Sequence, residues 1–237
     1  MLHILSHILT KKVRNDYDAI AEDFSDTRQK PWKAWDLLKK YFNKDATVLD
    51  IGCGNGRLSE FFTYHSYTGI DISKNLIELA KKERSSKNTH FKVGNFHHLP
   101  SSTYDIIVSI AAFHHLPSPQ SRKKALVEVK KTLTDDGIFI FSVWNLLHTE
   151  KYQNSRKGAL LRSIITLGLM HPRDLLIPWK KGSNKRKRYY YAFKQKEVEQ
   201  LLTKTGFTTI DIIPEAHGKR VEIKDAANIY FVCKKIN

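Results

Sequence analysis

The stretch "VLDIGCGNG", residues 48–56, decides the fold. An apolar run ends in three glycines, Gly52, Gly54 and Gly56, which is typical of a buried strand that enters a tight turn. Glycines let the backbone approach a ligand at the carboxyl end of a strand, where doubly wound folds bind nucleotides. Asp71 follows 19 positions after Gly52 (71 − 52) at the end of the next predicted strand. Its carboxylate can accept hydrogen bonds from ribose hydroxyls, so the pattern predicts a nucleoside site.

Strand-like and helical segments alternate from about residue 46 to residue 144, with short connections. This alternation predicts an α/β, Rossmann-like, doubly wound and mostly parallel sheet of seven strands. Near the end, "FTTIDIIP" and "NIYFVCKK" have no helix between them, which predicts an antiparallel C-terminal hairpin at one edge. We interpret residues 1–237 as a single domain. It has an N-terminal helical lid over 1–43 and a basic, aromatic and irregular insertion over 145–192.

The acid beside the glycine turn indicates which nucleotide binds. Asp50 precedes the first glycine, whereas the pyrophosphate of a dinucleotide would be repelled by a neighbouring carboxylate. The G-x-G-x-G spacing also lacks the extra residue of the dinucleotide fingerprint. A carboxylate suits a ligand with a cationic amino group and no phosphate. S-adenosylmethionine, a nucleoside with a sulfonium and an amino-acid tail, is such a ligand.

The composition predicts a polyanionic partner. Lys and Arg number 40 against 24 Asp and Glu, a formal net charge of +16. Nucleic acid is the first candidate and an anionic membrane the second, while a basic composition without such a partner is the alternative. Cys53 and Cys233 form no disulfide framework, which favours a cytoplasmic location. The most apolar run, 158–170, contains Arg162 and is too short to span a bilayer, so we expect no membrane partner.

Four segments, "VLDIGCGNG", "YTGIDIS", "VGNFHHLP" and "YDIIVSIAAFHHL", together resemble the class I S-adenosylmethionine-dependent methyltransferases. The resemblance implies the Rossmann-like fold, methyltransferase activity and S-adenosylmethionine as cofactor. It implies that the three glycines frame the methionine moiety, that Asp50 holds its amino group and that Asp71 binds the ribose. It also places Asn95 against the adenine amino group, with Ile72 and Phe96 in the same site.

A finer resemblance covers about residues 14–206. The segments "YDAIAEDFSDTRQKPW", "SIAAFHH", "SVW" and "LIPWKKGSNKRKRYYYAF" are similar to the wobble-uridine tRNA carboxyl methyltransferases. Those enzymes methylate the carboxymethyl group of 5-carboxymethyluridine in the anticodon loop. The resemblance therefore implies the tRNA anticodon loop as a partner. It further implies a small zinc-binding activator protein, which the eukaryotic members use.

Methyl transfer to a carboxylate chiefly requires alignment, because a carboxylate with a pKa of about 4 is already ionised at neutral pH. We predict that Arg28 orients the carboxylate and that Trp32 stacks on the uridine or packs the lid, beside Lys30. His114 and His115 follow the fourth strand as catalytic candidates. We expect one of them to contact the substrate and the other to be structural.

A basic and aromatic run in the insertion combines phosphate-binding charge with stacking rings, a combination that holds single-stranded RNA. The residues predicted to contact tRNA there are Trp179, Lys180, Lys181, Lys185, Arg186, Lys187, Arg188, Tyr189 and Tyr190. A solvated basic loop is the alternative. No metal site is expected, because no carboxylate or cysteine completes the histidine pairs at 97–98 and 114–115.

Two other functions compete with methyl esterification of tRNA. The first is a small-molecule methyltransferase of the quinone-biosynthesis type, since those enzymes share "LDIGCG" and "HHL". The second is a nucleic-acid-binding module with a degenerate cofactor fold. The basic aromatic insertion argues against the first. The intact acids and glycines of the cofactor motif argue against the second.

Overall fold

The computed structural model describes residues 2–182 and 185–236, so positions 183 and 184 of the basic stretch lie outside the described residues. The α-helices are α1 Leu2–Ala19, α2 Ala21–Asp26, α3 Lys74–Arg84, α4 Pro119–Thr132, α5 Gln153–Ile165 and α6 Gln195–Lys204. The strands are β1 Thr47–Ile51, β2 Ser66–Asp71, β3 Thr89–Val93, β4 Tyr104–Ser109, β5 Leu133–Trp144, β6 Asp174–Pro178, β7 Lys187–Tyr191, β8 Phe207–Ala216, β9 Lys219–Arg220 and β10 Asn228–Lys235.

The central sheet has the strand order β3-β2-β1-β4-β5-β10-β8-β9. The first five strands are parallel, and β10 runs antiparallel to both β5 and β8. The predicted α/β Rossmann-like fold with an antiparallel C-terminal edge is therefore confirmed. The described sheet has eight strands rather than seven, because the two-residue β9 pairs back onto β8 after a turn with positive φ at His217 and Gly218. Two residues are too few to give a strand pattern in a sequence.

Both faces of the sheet are covered. In β1, Val48 and Leu49 point to opposite faces and belong to different hydrophobic clusters. In β4, Ile107 and Val108 likewise belong to different clusters on the two faces. Such strands, buried on both sides, are typical of parallel sheets. The carboxyl ends of β1, β2 and β4 consequently meet at one edge, where the loops after them form a cavity.

The N-terminal segment belongs to the packed core. Leu9 and Val13 of α1 are buried in one cluster, and α1 contacts β7 and α3. A 3-10 helix, Lys33–Tyr41, buries Trp35 and Leu38 in the cluster on the other face. Residues 2–43 thus contact both faces of the fold, and the opening motion of a lid stays a prediction.

The insertion is more regular than predicted. It contains α5 and an antiparallel hairpin of β6 and β7, with its own apolar cluster that includes Leu146, Leu175 and Tyr190. The three consecutive tyrosines of β7 favour extended structure, so the sequence did carry this signal. In the alternating region before the insertion, only the 3-10 turn Arg57–Glu60 lies between the glycine turn and β2, which begins at Ser66.

The glycine turn allows a direct stability test. Gly52 has φ +81°, and a Cβ built there would lie 2.3 Å from the Cβ of Ala112. Gly168 has nearly the same backbone, φ +80°, and no atom of the described residues lies within 4 Å of such a Cβ. Gly168→Ala should cost about 1–2 kcal/mol of unfolding free energy from its left-handed backbone. Gly52→Ala should cost about 1–3 kcal/mol more, because the added methyl is also overpacked. Urea unfolding checks this, and equal costs would contradict it.

Candidate active site

A cavity of about 770 Å³ opens at the carboxyl edge of β1, β2 and β4. α1, α2 and the segment after α2 form its other walls. The predicted cofactor residues that line it are Asp50, Gly52, Gly54, Asp71, Ile72, Asn95 and Phe96. Gly56 does not line the cavity. A Cβ there would lie 2.6 Å from the Phe91 ring, so Gly56 instead lets the turn pack against β3.

Asp71 joins the glycine turn to the end of β2. Its Oδ2 accepts a hydrogen bond from Gly54 N at 2.9 Å, and its Oδ1 accepts one from Ser73 N at 2.8 Å. Gly52 N also donates to Ile70 O at 2.7 Å. Each carboxylate oxygen has a second lone pair, so Asp71 can still accept from ribose hydroxyls. The predicted ribose role is compatible with this geometry.

Asp50 is buried next to Asp71. Tyr67 OH donates to its Oδ2 at 2.5 Å. Burial raises the pKa of Asp50 to about 7, and the charge of Asp71 adds to the shift. Burial likewise raises the pKa of Asp71 to about 6. Neither acid forms an ion pair within residues 2–182 and 185–236. The charge of Arg57 opposes the pKa shift of Asp50 without forming an ion pair with it. Two desolvated carboxylates outside any ion pair suit a ligand that carries positive charge, as the amino group and sulfonium of S-adenosylmethionine do.

The predicted adenine end lies after β3. Asn95 Oδ1 accepts from His97 N at 2.8 Å, which leaves a second lone pair and the Nδ2 donor of Asn95 for a ligand. Phe96 is buried and packs edge-on against Phe113, with ring centroids 5.8 Å apart. Ile72 follows the ribose acid and lines the same wall. These side chains give the cavity an apolar end with one amide.

Arg28, the residue predicted to orient the carboxylate, also lines the cavity. Its guanidinium is 4.5 Å from the Phe24 ring centroid and 5.4 Å from that of Trp179. Its Nη1 donates to Thr27 Oγ1 at 2.6 Å. Burial lowers the pKa of Arg28, and the charge of Arg188 lowers it further. No carboxylate of the described chain pairs with this guanidinium, although it stays charged at neutral pH.

Arg188 is a second cavity residue, where the sequence predicted a surface contact with tRNA. The side chain is buried, and its guanidinium lies 4.8 Å from the Trp179 centroid. Its Nη1 donates to Tyr17 OH at 3.4 Å, while its buried Nε has no partner in the described structure. Trp179 is itself buried and contacts both guanidiniums, so it supports them rather than offering a free face to a base.

The two histidines of the pair occupy different environments, one at the cavity and one in the core. His115 lines the cavity, and its Nδ1 lies 2.6 Å from Tyr189 O. A carbonyl only accepts, so Nδ1 carries the proton and Nε2 accepts from Tyr17 OH at 2.9 Å. Burial lowers the pKa of His115 to about 3, which keeps it neutral. His114 is fully buried, and its Nδ1 accepts from Trp144 N at 3.2 Å, so a catalytic role for His114 is wrong in this arrangement.

The predicted tRNA contacts separate into an interior and an exterior group. Tyr189 and Tyr190 are fully buried, and Tyr189 OH donates to Asp174 Oδ1 at 2.6 Å. Their burial therefore rules out the predicted stacking of these two rings on RNA bases. The exposed cations of the run are Lys180, Lys181, Lys185, Arg186 and Lys187. We name these five the hairpin cations.

Trp32 lines the cavity as well, and it contacts an arginine that the sequence did not indicate. The Arg57 guanidinium lies 4.6 Å from the Trp32 centroid and 5.0 Å from that of Trp35. Arg57 Nη1 donates to Lys30 O at 2.9 Å. The side chain of Lys30 is exposed and lies outside the cavity lining, so Lys30 contributes through its backbone. The sequence did not indicate Tyr17 as a cavity residue either, although Tyr17 begins the segment "YDAIAEDFSDTRQKPW".

Within residues 2–182 and 185–236, no group of three or more His, Cys, Asp or Glu side chains could hold a metal ion. In the same part of the chain, none of the helices combines the length and apolarity needed to cross a membrane.

Residues 42–206 match the family model described as a methyltransferase domain, which covers more than half of the chain. This chain belongs to that methyltransferase family. The predicted enzyme class and the predicted cofactor, S-adenosylmethionine, are thereby confirmed. Bound in this cavity, the cofactor supplies an electrophilic methyl group on sulfur.

Known proteins resemble this methyltransferase along most of its length. It is 28% identical to the tRNA (carboxymethyluridine(34)-5-O)-methyltransferase of Schizosaccharomyces pombe, over 84% of this chain and 90% of that protein. A solved S-adenosylmethionine-dependent methyltransferase of Methanosarcina mazei has a TM-score of 0.66 at 22% identity, covering 84% and 97% of the two chains. A methyltransferase solved in complex with the Haloferax volcanii Trm112 methyltransferase activator has a TM-score of 0.65 at 16% identity, covering 94% and 98%. At these identities the two structures support the fold.

The raised pKa values of the two acids predict pH-dependent cofactor binding. A cationic ligand favours the ionised carboxylates, so binding lowers their pKa values and releases protons. Affinity should therefore fall from about pH 8 to about pH 5.5, by up to about tenfold per pH unit for each proton released. Asp50→Asn should bind more weakly at high pH and lose the step near pH 7, which belongs to Asp50.

Calorimetry in two buffers of different ionisation enthalpy measures both affinity and proton release. The step near pH 6, which belongs to Asp71, should persist in Asp50→Asn. An affinity that is flat across this range in the parent protein would contradict the cationic-ligand assignment.

Proposed function

We propose that this methyltransferase esterifies the carboxyl group of 5-carboxymethyluridine at the wobble position of a tRNA anticodon. One observation carries the proposal. Arg28 and Arg188 both contact Trp179, both line the cofactor cavity, and neither has a carboxylate partner in the described chain. Guanidiniums bind carboxylates through paired, charge-assisted hydrogen bonds. A tRNA substrate is supported by the Schizosaccharomyces pombe relative and by the net charge of +16.

The charged groups that line the cavity suit the two reactants. In this proposal Asp50 and Asp71 bind the cationic cofactor, and the two guanidiniums bind an anionic substrate. A carboxylate oxygen forms a bond to the methyl carbon while the carbon–sulfur bond breaks and its electron pair stays on sulfur. No proton leaves the nucleophile, because the carboxylate is already ionised. The residues need only align it with the methyl group.

The position of His115 agrees with chemistry that requires no base. Both of its ring nitrogens are engaged, one with Tyr189 O and the other with Tyr17 OH. In this proposal His115 orients Tyr17, and the Tyr17 hydroxyl accepts from Arg188. Tyr17 is thus a positioning residue that sets the direction of one guanidinium. Trp32 and Trp144 line the cavity and offer aromatic surface for the uracil ring.

The hairpin cations lie next to the cavity in sequence, since Lys187 directly precedes Arg188 in β7. We propose that they contact tRNA phosphates, which carry most of the affinity in protein–nucleic acid complexes. A small activator protein remains part of the prediction from the family resemblance. It is tested by comparing turnover of the purified chain with turnover after addition of such an activator.

The product distinguishes the proposal from its alternatives. tRNA containing 5-carboxymethyluridine should incorporate a methyl group that mild alkali releases as methanol, because the product is an ester. Nucleoside mass spectrometry before and after alkali measures this. Alkali-stable label in tRNA would reject the carboxylate substrate. Label in quinone precursors without label in tRNA would favour the small-molecule alternative.

Removing a guanidinium should impair turnover more than cofactor binding. Arg28→Ala should lower kcat/KM by about 100-fold or more, since alignment of the reactants is the main catalytic contribution. Arg28→Lys should recover only part of the lost kcat/KM, because an ammonium cannot make the planar two-point contact. Arg220→Ala, which removes an exposed arginine on β9, is the control. Equal kcat/KM for Arg28→Ala and Arg220→Ala would contradict the role of Arg28.

Tyr17→Phe tests the positioning role, because it removes the hydroxyl and keeps the ring that packs on Phe24. Arg188 and His115 both lose a hydrogen-bond partner, so kcat/KM should fall by about 3- to 30-fold. The pH profile should keep its shape, since His115 stays neutral. Tyr41→Phe removes a hydroxyl that bonds Asp211 outside the cavity and is the matched control. A Tyr17→Phe enzyme indistinguishable from Tyr41→Phe would overturn the role.

A further inference from the structure

One face of α1 leads out of the cavity. The residues of α1 that line the cavity are His7, Thr10, Lys11, Val13, Arg14 and Tyr17. Most of them recur at spacings of three and four, which places them on a single stripe of the helix. Tyr17 contacts Arg188 and His115 at the inner end, while Arg14, Lys11 and His7 are exposed toward the outer end. From Tyr17 to His7 the helix rises about 15 Å.

The positive charge of this stripe is not neutralised by its own helix. Lys12 of the neighbouring face pairs with Asp16 at 2.8 Å. Asp18 accepts from Ser73 Oγ at 2.7 Å and from Asn75 N at 3.2 Å. Both acids of α1 are therefore engaged elsewhere. Lys11 and Arg14 form no ion pair with any residue of 2–182 or 185–236.

The stripe is held in place relative to the cavity. Leu9, on the opposite side of α1, is buried in the main hydrophobic cluster, and Val13 at the edge of the stripe is buried in the same cluster. Ser6 Oγ donates to Ser118 Oγ at 3.2 Å, which fixes α1 to the start of α4. α1 also packs along β7, the strand that carries Arg188. The exposed cations therefore keep a constant position with respect to the substrate end of the cavity.

We propose that His7, Lys11 and Arg14, here named the α1 track, bind the phosphates of the RNA strand that flanks the nucleotide in the cavity. This inference rests on the proposed function. An RNA strand whose reacting nucleotide lies at Arg188 must leave the cavity. Along that exit the α1 track offers two cations, Lys11 and Arg14, and the imidazole of His7. The track is separate from the hairpin cations, so the RNA strand is held at two places rather than one.

An anionic membrane is the other surface that exposed cations attract, and Ile4 and Ile8 of α1 are exposed nearby. The observations favour RNA, because the stripe continues into the cavity as far as Tyr17. A flat lipid surface cannot follow it there. The RNA track would be overturned if the parent protein bound vesicles of anionic lipid and the α1 variant described below lost that binding while its RNA binding stayed unchanged.

The test removes two cations from each of two helices. The α1 variant carries both Lys11→Ala and Arg14→Ala. The α3 variant carries both Lys81→Ala and Lys82→Ala, which remove two exposed cations of α3 outside the cavity lining. Binding of an anticodon stem-loop RNA is measured against salt concentration. The slope of log K against log salt should flatten by about 1.4 in the α1 variant, since each lost single-strand phosphate contact is worth about 0.7. Affinity at low salt should fall on the order of tenfold.

The α3 variant should keep the slope of the parent protein. Lys11→Arg with Arg14→Lys should keep it as well, because phosphates accept either cation. Equal slopes in the α1 and α3 variants, with both proteins folded by circular dichroism, would overturn the track. Ester formation on tRNA reports on the proposed function separately. An active enzyme with an unchanged slope rejects only the track, whereas a changed slope without an ester product rejects only the carboxylate substrate.

Discussion

The hydrogen bond from Gly54 N to the Asp71 carboxylate is the contact on which the site depends. It ties the turn after β1 to the end of β2, and the second oxygen of Asp71 holds the start of α3 through Ser73 N. The turn needs positive φ at Gly52 and Gly54, so only this backbone lets the donor reach the acid. Asp50 and Asp71 thereby line the cavity together, and neither forms an ion pair within the described residues.

Unpaired charges of both signs explain how one cavity can accept two unlike reactants. Two desolvated acids and the guanidiniums of Arg28 and Arg188 line the same cavity and form no ion pair with one another. Acids and arginines that paired with each other would stabilise the free protein and close the site. Keeping them unpaired costs stability, because a buried charge without a partner is poorly solvated. The covered sheet and the packed α1 offset that cost.

The fold and the cofactor end could be predicted because their signals are local. Strand length, glycine spacing and the two acids lie within short segments of the sequence. The substrate end depends on distant pairing. Arg188 faces the cavity and Tyr189 faces the core because β7 pairs with β6 in one register, with Ile177 opposite Arg188. His114 and His115 separate because a 3-10 turn sends adjacent side chains in different directions. Neither arrangement has a local sequence signature.

The central claim is that unpaired guanidiniums in the cofactor cavity recognise a carboxylate. The most direct measurement compares the affinity of one stem-loop RNA carrying 5-carboxymethyluridine with that of the same RNA carrying uridine. Both are measured in the parent protein and in a variant with Arg28→Met and Arg188→Met. The parent should prefer the carboxymethylated RNA by about tenfold or more, and the variant should lose the preference while keeping its affinity for the uridine RNA. A preference that survives in the variant, or that is absent from the parent, would contradict the account.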